Sequence, residues 1–316
     1  MKTSTKIISF CLAASVLCST SLTAHAAARK EGQETGRVGQ FSLEQEMQSQ
    51  KKLNAVMRIC EIQEKYLRQG CSISQQERQE LEQLLSEYYP NAAISAYLPD
   101  PGMQTASLRE SADPNGAVIP SVVNAFPRVY LNLPGKLQQT GYYCGPASGY
   151  AVLKGLGIAV TQSELAGKMG TTKKGTGLEA VEPALNSYSG RNGKKFKYAT
   201  LKGYGLTGEK MTAAQWEKKF VNAAVTTLGG GYGVIYDVHQ DPVHKSTYYL
   251  QGYGTNGHAR SEIFHYVAGE GWDKKNYPTL NCLYYDSNNM NLENYHHMHV
   301  TFSTMAVLCN DRGVIY

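Results

Sequence analysis

The sequence lacks several signals that mark common classes of protein. Its 316 residues contain no internal repeat, no Cys-x-x-Cys or His-Glu-x-x-His segment, and no Gly-Lys-Ser/Thr ending of a phosphate loop. Charged residues make up only 18% and the net charge is +5, so the dense Lys/Arg stripe that nucleic-acid binding requires is missing. We therefore expect no nucleic-acid partner and no cofactor. The 42% apolar content excludes a chain that is disordered throughout.

Long apolar runs are also missing, except at the N-terminus. Residues 1–26 have the features of a secretory signal peptide, with two lysines before the uncharged, mostly apolar run 7–22. Ala24 and Ala26 then supply small residues at the two positions that a signal peptidase inspects. A transmembrane anchor is the alternative, but this run is short for a bilayer core of about 30 Å. We predict cleavage near Ala26 and a secreted, extracellular protein without a membrane anchor.

The seven cysteines are an odd number, which bears on disulfides and on catalysis. Removal of the signal peptide leaves five, and two disulfides plus one free thiol is the simple arithmetic for an exported protein. If residues 43–69 are helical, however, Cys60 and Cys71 lie about 15 Å apart, beyond the reach of a disulfide. Cys282 and Cys309 could pair, but the sequence alone leaves this open.

The chain after the signal peptide divides into a helical segment with a linker, 27–127, and a C-terminal domain, 128–316. Capping boxes that begin at Ser42 and Ser74 predict the starts of two helices. Apolar residues at helical spacing follow each box, and a glycine and a proline end the two patterns. Residues 90–134 hold seven of the eleven prolines and are predicted to form an extended linker or a strap that lies on another domain.

Charge also changes between these two regions. Residues 27–127 carry ten basic and thirteen acidic side chains, whereas residues 128–316 have a net charge of +6. An acidic helical segment before a basic domain fits an inhibitory pro-segment that docks on its own catalytic domain, as in a zymogen. A permanent accessory region fits the composition equally well, and the sequence leaves both open.

The C-terminal domain is predicted to contain mainly helices first and an antiparallel sheet afterwards. Helical patterns cover 144–156, 161–169, 178–187 and 212–227, and strand patterns cover 128–133, 233–238, 263–270, 281–286, 297–302 and 305–309. This order is typical of an α+β fold.

The run from Gln138 to Ser148 has the features of a catalytic cysteine site. Cys144 directly precedes a predicted helix in which Pro146 occupies an early position, where its missing N–H costs no hydrogen bond. A thiol at a helix N-terminus feels the positive end of the helix dipole, which favours the nucleophilic thiolate. The side-chain amide of Gln138 could donate to an oxyanion alongside the Cys144 N–H. A buried structural cysteine is the alternative.

A candidate base and its partner lie on two later strands. His265 is in the apolar strand 263–270, and Asp286 ends the next strand, 281–286. If these strands pair, the Asp286 carboxylate can fix the tautomer of the imidazole and stabilise its charged form. Each residue alone also fits a structural role, as a core histidine or a turn-forming aspartate. The order Gln, Cys, His, Asp favours a catalytic set.

These motifs resemble those of a known family. The run around Cys144-Gly145-Pro146-Ala147 resembles the nucleophile motif of the C39-like cysteine peptidases, which are bacterial members of the papain-like superfamily. Phe264-His265-Tyr266-Val267, followed by Tyr285-Asp286, resembles the second motif of that family. The resemblance covers roughly residues 130–290. It implies an α+β papain-like cysteine peptidase fold, here preceded by an N-terminal helical segment.

The resemblance also implies a role for each residue of the set. Cys144 would be the nucleophile and His265 the base, with Asp286 orienting the histidine. Gln138 would be the oxyanion residue, although Gln139 is available for the same role. The sequence departs from the family in one place, because Ser287 follows Asp286 where the family often has proline.

The combined interpretation is a secreted cysteine peptidase that hydrolyses peptide bonds in a peptide or protein substrate. A cell-wall amidase or acyltransferase on the same fold is the nearest alternative, and a non-catalytic secreted binding module with a vestigial cleft is the second. The sequence has no wall-binding repeat, which favours a peptide or protein substrate over a cell-wall one.

Two further patterns are given a conservative interpretation. His296, His297 and His299 form a cluster, but only two of them can share one face of a strand, so we expect a solvated polar strand and no metal. The Tyr- and Gly-rich segment 241–261, which includes Tyr253, predicts a mobile loop near the cleft. Its tyrosines either shape a substrate groove or are merely exposed.

Overall fold

The computed structural model describes residues 38–69, 72–98, 120, 123, 125–253, 262–288 and 297–316. The predicted signal peptide with its two cysteines, as well as Cys71, His296 and most of the predicted linker, lies outside these residues. Within the described ranges, no helix combines the length and the apolarity needed to cross a membrane.

The described part of the N-terminal segment contains two α-helices, which begin where the capping boxes predict. Helix α1 spans Leu43–Arg68 and helix α2 spans Gln75–Tyr88. At each start the serine side chain accepts the N3 backbone N–H while the N3 side chain accepts the N–H of the serine, so two otherwise unpaired donors are satisfied. Both predicted helices are confirmed, and the first ends at the residue expected within one position.

The buried face of α1 packs on helix α7, Ala213–Gly229. Val56, Ile59 and Ile62 are fully buried because residues three apart along a helix lie on the same side. These residues belong to the same hydrophobic core as the strands and helices that follow. The N-terminal segment therefore shares its core with the C-terminal domain.

A seven-stranded antiparallel sheet organises the C-terminal domain. Six strands follow the order β2-β7-β3-β4-β5-β6. Strand β1 pairs with residues 271–273 of β4, beyond the residues 263–269 that pair with β3. The strands are β1 (Arg128–Tyr130), β2 (Thr200–Lys202), β3 (Val234–Gln240), β4 (Ile263–Asp273), β5 (Asn281–Tyr285), β6 (His297–Thr301) and β7 (Gly313–Ile315).

Helix α3, Cys144–Gly155, packs against β4 and β3, so its first residue is brought to the strand that carries His265. Helix α7 also contacts these two strands and completes the core around them. The other α-helices among the described residues are α4 (Gln162–Lys168), α5 (Leu178–Asn186), α6 (Tyr204–Thr207) and α8 (Phe302–Leu308). The predicted α+β class, with an N-terminal helical segment, is confirmed.

One predicted strand is wrong and two strands were missed. Residues 305–309 were expected to form a strand, but Phe302, Met305 and Ala306 are buried at helical spacing in α8. The Thr301 side chain caps this helix by accepting the Thr304 N–H. The missed strands, β2 and β7, have three residues each, which is too short for a periodicity to be recognised.

Candidate active site

Cys144 is the first residue of α3 and is almost completely buried. The N–H groups in the first turn of a helix have no acceptor within the helix, and the residue before this one, Tyr143, provides no side-chain cap for them. Pro146 stands in this first turn, where no intrahelical bond is lost. The arrangement leaves backbone donors and the positive end of the helix dipole beside the thiol.

Gly145 is required by the close approach of a neighbouring loop. A Cβ atom at this position would lie 2.8 Å from Oγ1 of Thr176, which is too close for ordinary contact. The Tyr266 hydroxyl donates to the main-chain carbonyl of Thr176 at 3.1 Å, which ties this loop to strand β4. The loop, the start of α3 and β4 are therefore packed together around Cys144.

His265 and Asp286 meet as the strand-pairing argument predicts. Ala268 pairs with Tyr285 in the antiparallel register of β4 and β5. Asp286 follows directly, which makes it a diagonal neighbour of His265 on one face. The distance from His265 Nε2 to Asp286 Oδ1 is 2.8 Å, and the side chains are 0% and 2% exposed. The pair is thus a buried hydrogen bond between an imidazole and a carboxylate.

The other side of the imidazole interacts with Cys144. Because Nε2 is bonded to Asp286, Nδ1 is the ring nitrogen left for the thiol, and Nδ1 makes no conventional hydrogen bond to oxygen or nitrogen. Burial lowers the pKa of His265. The charge and hydrogen bond of Asp286 and the interaction with Cys144 outweigh this effect and raise the pKa to about 9. The imidazolium form is therefore favoured at neutral pH.

The pKa of Cys144 shifts in the opposite direction. Burial raises the pKa of this thiol, but the hydrogen bond and positive charge of His265, together with the Tyr266 N–H, bring it below its ordinary value. A lowered cysteine pKa beside a raised histidine pKa favours a thiolate–imidazolium pair. Such a pair is the form in which a cysteine is nucleophilic.

Other cysteines in the described residues differ in this respect. Burial raises the pKa of Cys60 to about 11 and that of Cys282 to about 12, and it raises the pKa of Cys309 strongly. All four described cysteines are free thiols, so the pairing of Cys282 with Cys309, which the sequence left open, is not formed. Among these four, only Cys144 has its pKa lowered.

Gln138 and Gln139 are directed to different parts of the molecule. The Oε1 of Gln138 accepts from Ser287 Oγ at 3.1 Å, and its Nε2 donates to the Thr140 carbonyl at 2.9 Å. The Oε1 of Gln139 instead accepts from Ser163 in helix α4 at 3.2 Å. Gln138 is therefore attached to the residue that follows Asp286, whereas Gln139 is attached to a helix away from that strand.

Asp286 is also held by Asn288 and Tyr253. The Asn288 N–H donates to Oδ1 at 2.8 Å, and the Tyr253 hydroxyl donates to Oδ2 at 2.7 Å. Three donors around one carboxylate favour its ionised form and fix its orientation. Nothing in the sequence distinguishes Tyr253 from the other tyrosines of its loop, because their spacing carries no signal.

The described histidines of the C-terminal cluster do not converge. His297 Nδ1 lies 2.7 Å from Glu270 Oε1, and His299 Nδ1 lies 3.2 Å from Asn281 Oδ1. The hydrogen bond to Glu270 raises the pKa of His297. In the part of the chain that the structure describes, no group of three His, Cys, Asp or Glu side chains could hold a metal ion.

Three solved structures align with this chain at low sequence identity and with TM-scores of 0.40 or less. A C39-like peptidase from Bacillus anthracis aligns with 60% of this chain and 96% of its own, at 13% identity and a TM-score of 0.40. The precursor of stem bromelain aligns with 90% of this chain and 94% of its own, at 13% identity and a TM-score of 0.38. Procathepsin L 3 of Tenebrio molitor larval midgut aligns with 95% of this chain and 98% of its own, at 12% identity and a TM-score of 0.39. A comparison with functionally curated proteins gives no match.

The assignment rests on the sequence match to a family model rather than on these superpositions. Residues 130–306 match the model described as the Peptidase_C39 like family. This range includes both motifs, and it extends the predicted resemblance of roughly 130–290 towards the C-terminus. The α+β class expected from that resemblance is the class that the helices and the sheet show. The chain belongs to the Peptidase_C39 like family.

Proposed function

We propose that the protein is a secreted cysteine peptidase that hydrolyses peptide bonds with Cys144, His265 and Asp286 as its triad and Gln138 as its oxyanion residue. The observation that carries the proposal is the buried chain of contacts from Cys144 through His265 to Asp286. Membership of the peptidase family supports the reaction class. The roles of Cys144, His265 and Asp286 are inferred from their contacts. That of Gln138 is inferred from its place six residues before Cys144 and from the resemblance to the family motif.

In the first half of the reaction the Cys144 thiolate attacks the carbonyl carbon of the scissile peptide bond. A C–S bond forms, and the carbonyl oxygen becomes an oxyanion that the Cys144 N–H and the Gln138 amide stabilise. The imidazolium of His265 gives the proton from Nδ1 to the leaving amine as the C–N bond breaks. The products are a free amine and a thioester between Cys144 and the acyl group.

In the second half, water hydrolyses the thioester. Neutral His265 takes a proton from the water as its oxygen attacks the carbonyl carbon. The C–S bond then breaks, which releases the carboxylic acid and restores the thiolate–imidazolium pair. Asp286 remains ionised throughout and keeps the ring oriented, with its charge balancing the imidazolium.

Two experiments separate this proposal from its alternatives. The mature chain and its Cys144→Ala variant are incubated with an unstructured protein, and the products are identified by mass spectrometry. A peptidase gives new peptide termini only with the wild-type chain, whereas equal cleavage by the variant contradicts the role of Cys144. A cell-wall amidase would leave the protein intact and cleave purified peptidoglycan instead, and a non-catalytic module would cleave neither.

Export and the role of the segment 27–127 belong to the same proposal. Mass spectrometry of protein collected outside the cell would give an N-terminus next to Ala26 if the signal peptide is removed there. An N-terminus at another residue would place the cleavage site there instead, and an intact N-terminus would contradict the predicted cleavage. Whether the helical segment is an inhibitory pro-segment or a permanent accessory region depends on how it is attached to the domain.

The attachment of α1 supports the permanent alternative. The Lys52 ammonium is buried and donates to the main-chain carbonyl of Lys197 at 2.6 Å and to that of Tyr316. It also lies 5.0 to 5.5 Å from the ring centres of Tyr89, Tyr198 and Tyr316. Because these partners belong to both parts of the chain, Lys52 fastens the helical segment to the catalytic domain.

A further inference from the structure

The Asp286 carboxylate is held from both of its oxygens. Oδ1 accepts hydrogen bonds from the His265 ring and the Asn288 N–H, whereas Oδ2 accepts one from the Tyr253 hydroxyl at 2.7 Å. A carboxylate bound through one oxygen can still rotate about its Cβ–Cγ bond, and a donor on the second oxygen opposes that rotation. The Tyr253 hydroxyl is thus placed to fix the plane of the carboxylate that orients His265.

Tyr253 also contacts His265 directly. The centres of the two rings are 5.9 Å apart and their planes are inclined by 33°. Tyr253 is 1% exposed, so its ring separates the hydrogen bond between His265 and Asp286 from solvent on that side. Exclusion of water strengthens the electrostatic interaction of an imidazolium with a carboxylate.

The turn that carries Tyr253 is attached to the sheet independently of this contact. The Tyr253 N–H donates to the Leu250 carbonyl at 3.0 Å, which closes the turn. The Leu250 N–H donates to Gln240 Oε1 at the end of β3, and the Gln251 N–H donates to the Tyr284 hydroxyl of β5. The position of the Tyr253 hydroxyl is therefore determined by the backbone of the turn.

We propose that Tyr253 is a positioning residue of the peptidase: its hydroxyl fixes Asp286 and, through Asp286, the orientation and proton affinity of His265. This inference rests on the proposed function. It assigns to the Tyr-rich segment 241–261 a part in catalysis rather than only in shaping a groove. The turn must be docked on the sheet for His265 to be correctly oriented.

The sign of the effect on His265 follows from the hydrogen bond. The Tyr253 hydroxyl withdraws negative charge from the carboxylate by donating to Oδ2. Without it, more of that charge acts on the imidazolium, so the pKa of His265 rises and its acid form becomes a weaker proton donor to the leaving amine. The loss of orientation lowers the rate in addition.

The test compares Tyr253→Phe with Tyr249→Phe. Both remove one hydroxyl donor from the same loop, but the Tyr249 hydroxyl donates to the Ser246 carbonyl and not to the triad. We expect Tyr253→Phe to lower kcat about ten-fold with little change in KM, because a hydrogen bond to a charged group is lost. Tyr249→Phe should retain wild-type kinetics. Equal effects of the two variants on kcat overturn the inference.

A substrate-free readout distinguishes failure of this inference from failure of the proposed function. Alkylation of Cys144 by iodoacetamide is followed against pH, where the upper inflection reports the loss of the His265 proton. In Tyr253→Phe this inflection should move to higher pH by about half a pH unit. An unchanged inflection, or a downward one, contradicts the positioning role. Wild-type alkylation with no peptide hydrolysis contradicts the proposed substrate class instead.

A double-mutant cycle covers the case in which Tyr253→Phe only disturbs folding. If the hydroxyl acts through Asp286, adding Tyr253→Phe to Asp286→Asn should change the alkylation rate by much less than it does in the wild-type chain. If the effect is general destabilisation, it should be equally large in both backgrounds and should be accompanied by a lower melting temperature. The second result overturns the inference.

Discussion

Gln138 and Ser287 are joined by two hydrogen bonds. The Gln138 N–H donates to the Ser287 carbonyl at 2.8 Å, and the Ser287 hydroxyl donates to Gln138 Oε1 at 3.1 Å. Because Ser287 directly follows Asp286, this contact fixes the loop before Cys144 to the end of strand β5. The serine that departs from the usual family pattern thus has a defined partner on the opposite side of the site.

This relationship predicts that the two neighbouring glutamines differ in function. Gln138→Ala should lower kcat by about 10²- to 10³-fold, since an oxyanion donor is lost, and should change KM little. Gln139→Ala is the matched control and should retain near-wild-type kinetics, because its side chain is bonded to Ser163. Steady-state hydrolysis of one peptide by both variants is the measurement. The reverse order of effects would move the oxyanion role to Gln139.

The pKa values predict a bell-shaped dependence of kcat/KM on pH. Activity should fall in acid as the Cys144 thiolate gains a proton, and above about pH 9 as His265 loses one. Asp286→Asn removes the negative charge that raises the pKa of His265, while the burial that lowers this pKa remains. The pKa of His265 therefore drops, and the basic limb of the profile moves to lower pH. A loss of about 10²- to 10⁴-fold in kcat/KM should accompany the shift. A basic limb that does not move would show that Asp286 does not act on His265.

Much of this site could be predicted from the sequence because each part has a local cause. The position of Cys144 at a helix start follows from the Gly-Pro that comes after it, and both capping boxes mark their helices. The contact of His265 with Asp286 follows from strand alternation and one short connection. Such features depend on residues that are close in sequence or on neighbouring strands.

Other features could not be predicted because they depend on distant parts of the chain. Tyr253 is one of several tyrosines in a loop without periodicity, and its partner Asp286 is 33 residues away. The sequence does not distinguish Lys52 from the other lysines of its helix, yet its ammonium donates to the carbonyl of Tyr316, 264 residues later. Tertiary packing, rather than local pattern, decides the role of such residues.

Lys52 gives a prediction for stability. Burial lowers its pKa to about 7 from an ordinary value of 10.5, while the charge of Glu182 opposes the shift. The unfolded chain therefore binds more protons than the folded chain between these values, so the contribution of Lys52 to stability becomes more favourable as pH rises. Relative to wild type, Lys52→Met should lose about 2 kcal/mol in its free energy of unfolding on going from pH 6 to pH 9.

Urea unfolding at the two pH values measures this change. Lys51→Met is the matched control, since it makes the same substitution at the exposed neighbour on the same helix. If the Lys52→Met difference from wild type does not change between the two pH values, the ammonium is not desolvated as its burial implies.

The shared core predicts that the helical segment stays bound after the linker is cut. A specific protease site is inserted between residues 99 and 119, and the chain is cleaved there. We expect both fragments to elute together in gel filtration with unchanged peptidase activity, since Val56, Ile59 and Ile62 each contribute about 1.5–3 kcal/mol by burial. Release of the helical fragment together with a rise in activity would establish the pro-segment alternative.

The reactivity of Cys144 tests the central claim most directly. The full mature chain is treated with iodoacetamide at pH 6, and the alkylation rates of Cys144 and Cys60 are followed by mass spectrometry. The thiolate–imidazolium pair predicts that Cys144 reacts far faster than Cys60, whose pKa is raised to about 11, and faster than a free model thiol. In His265→Ala this advantage should disappear. Reaction of Cys144 at the rate of a model thiol, or an unchanged rate in His265→Ala, would contradict the account.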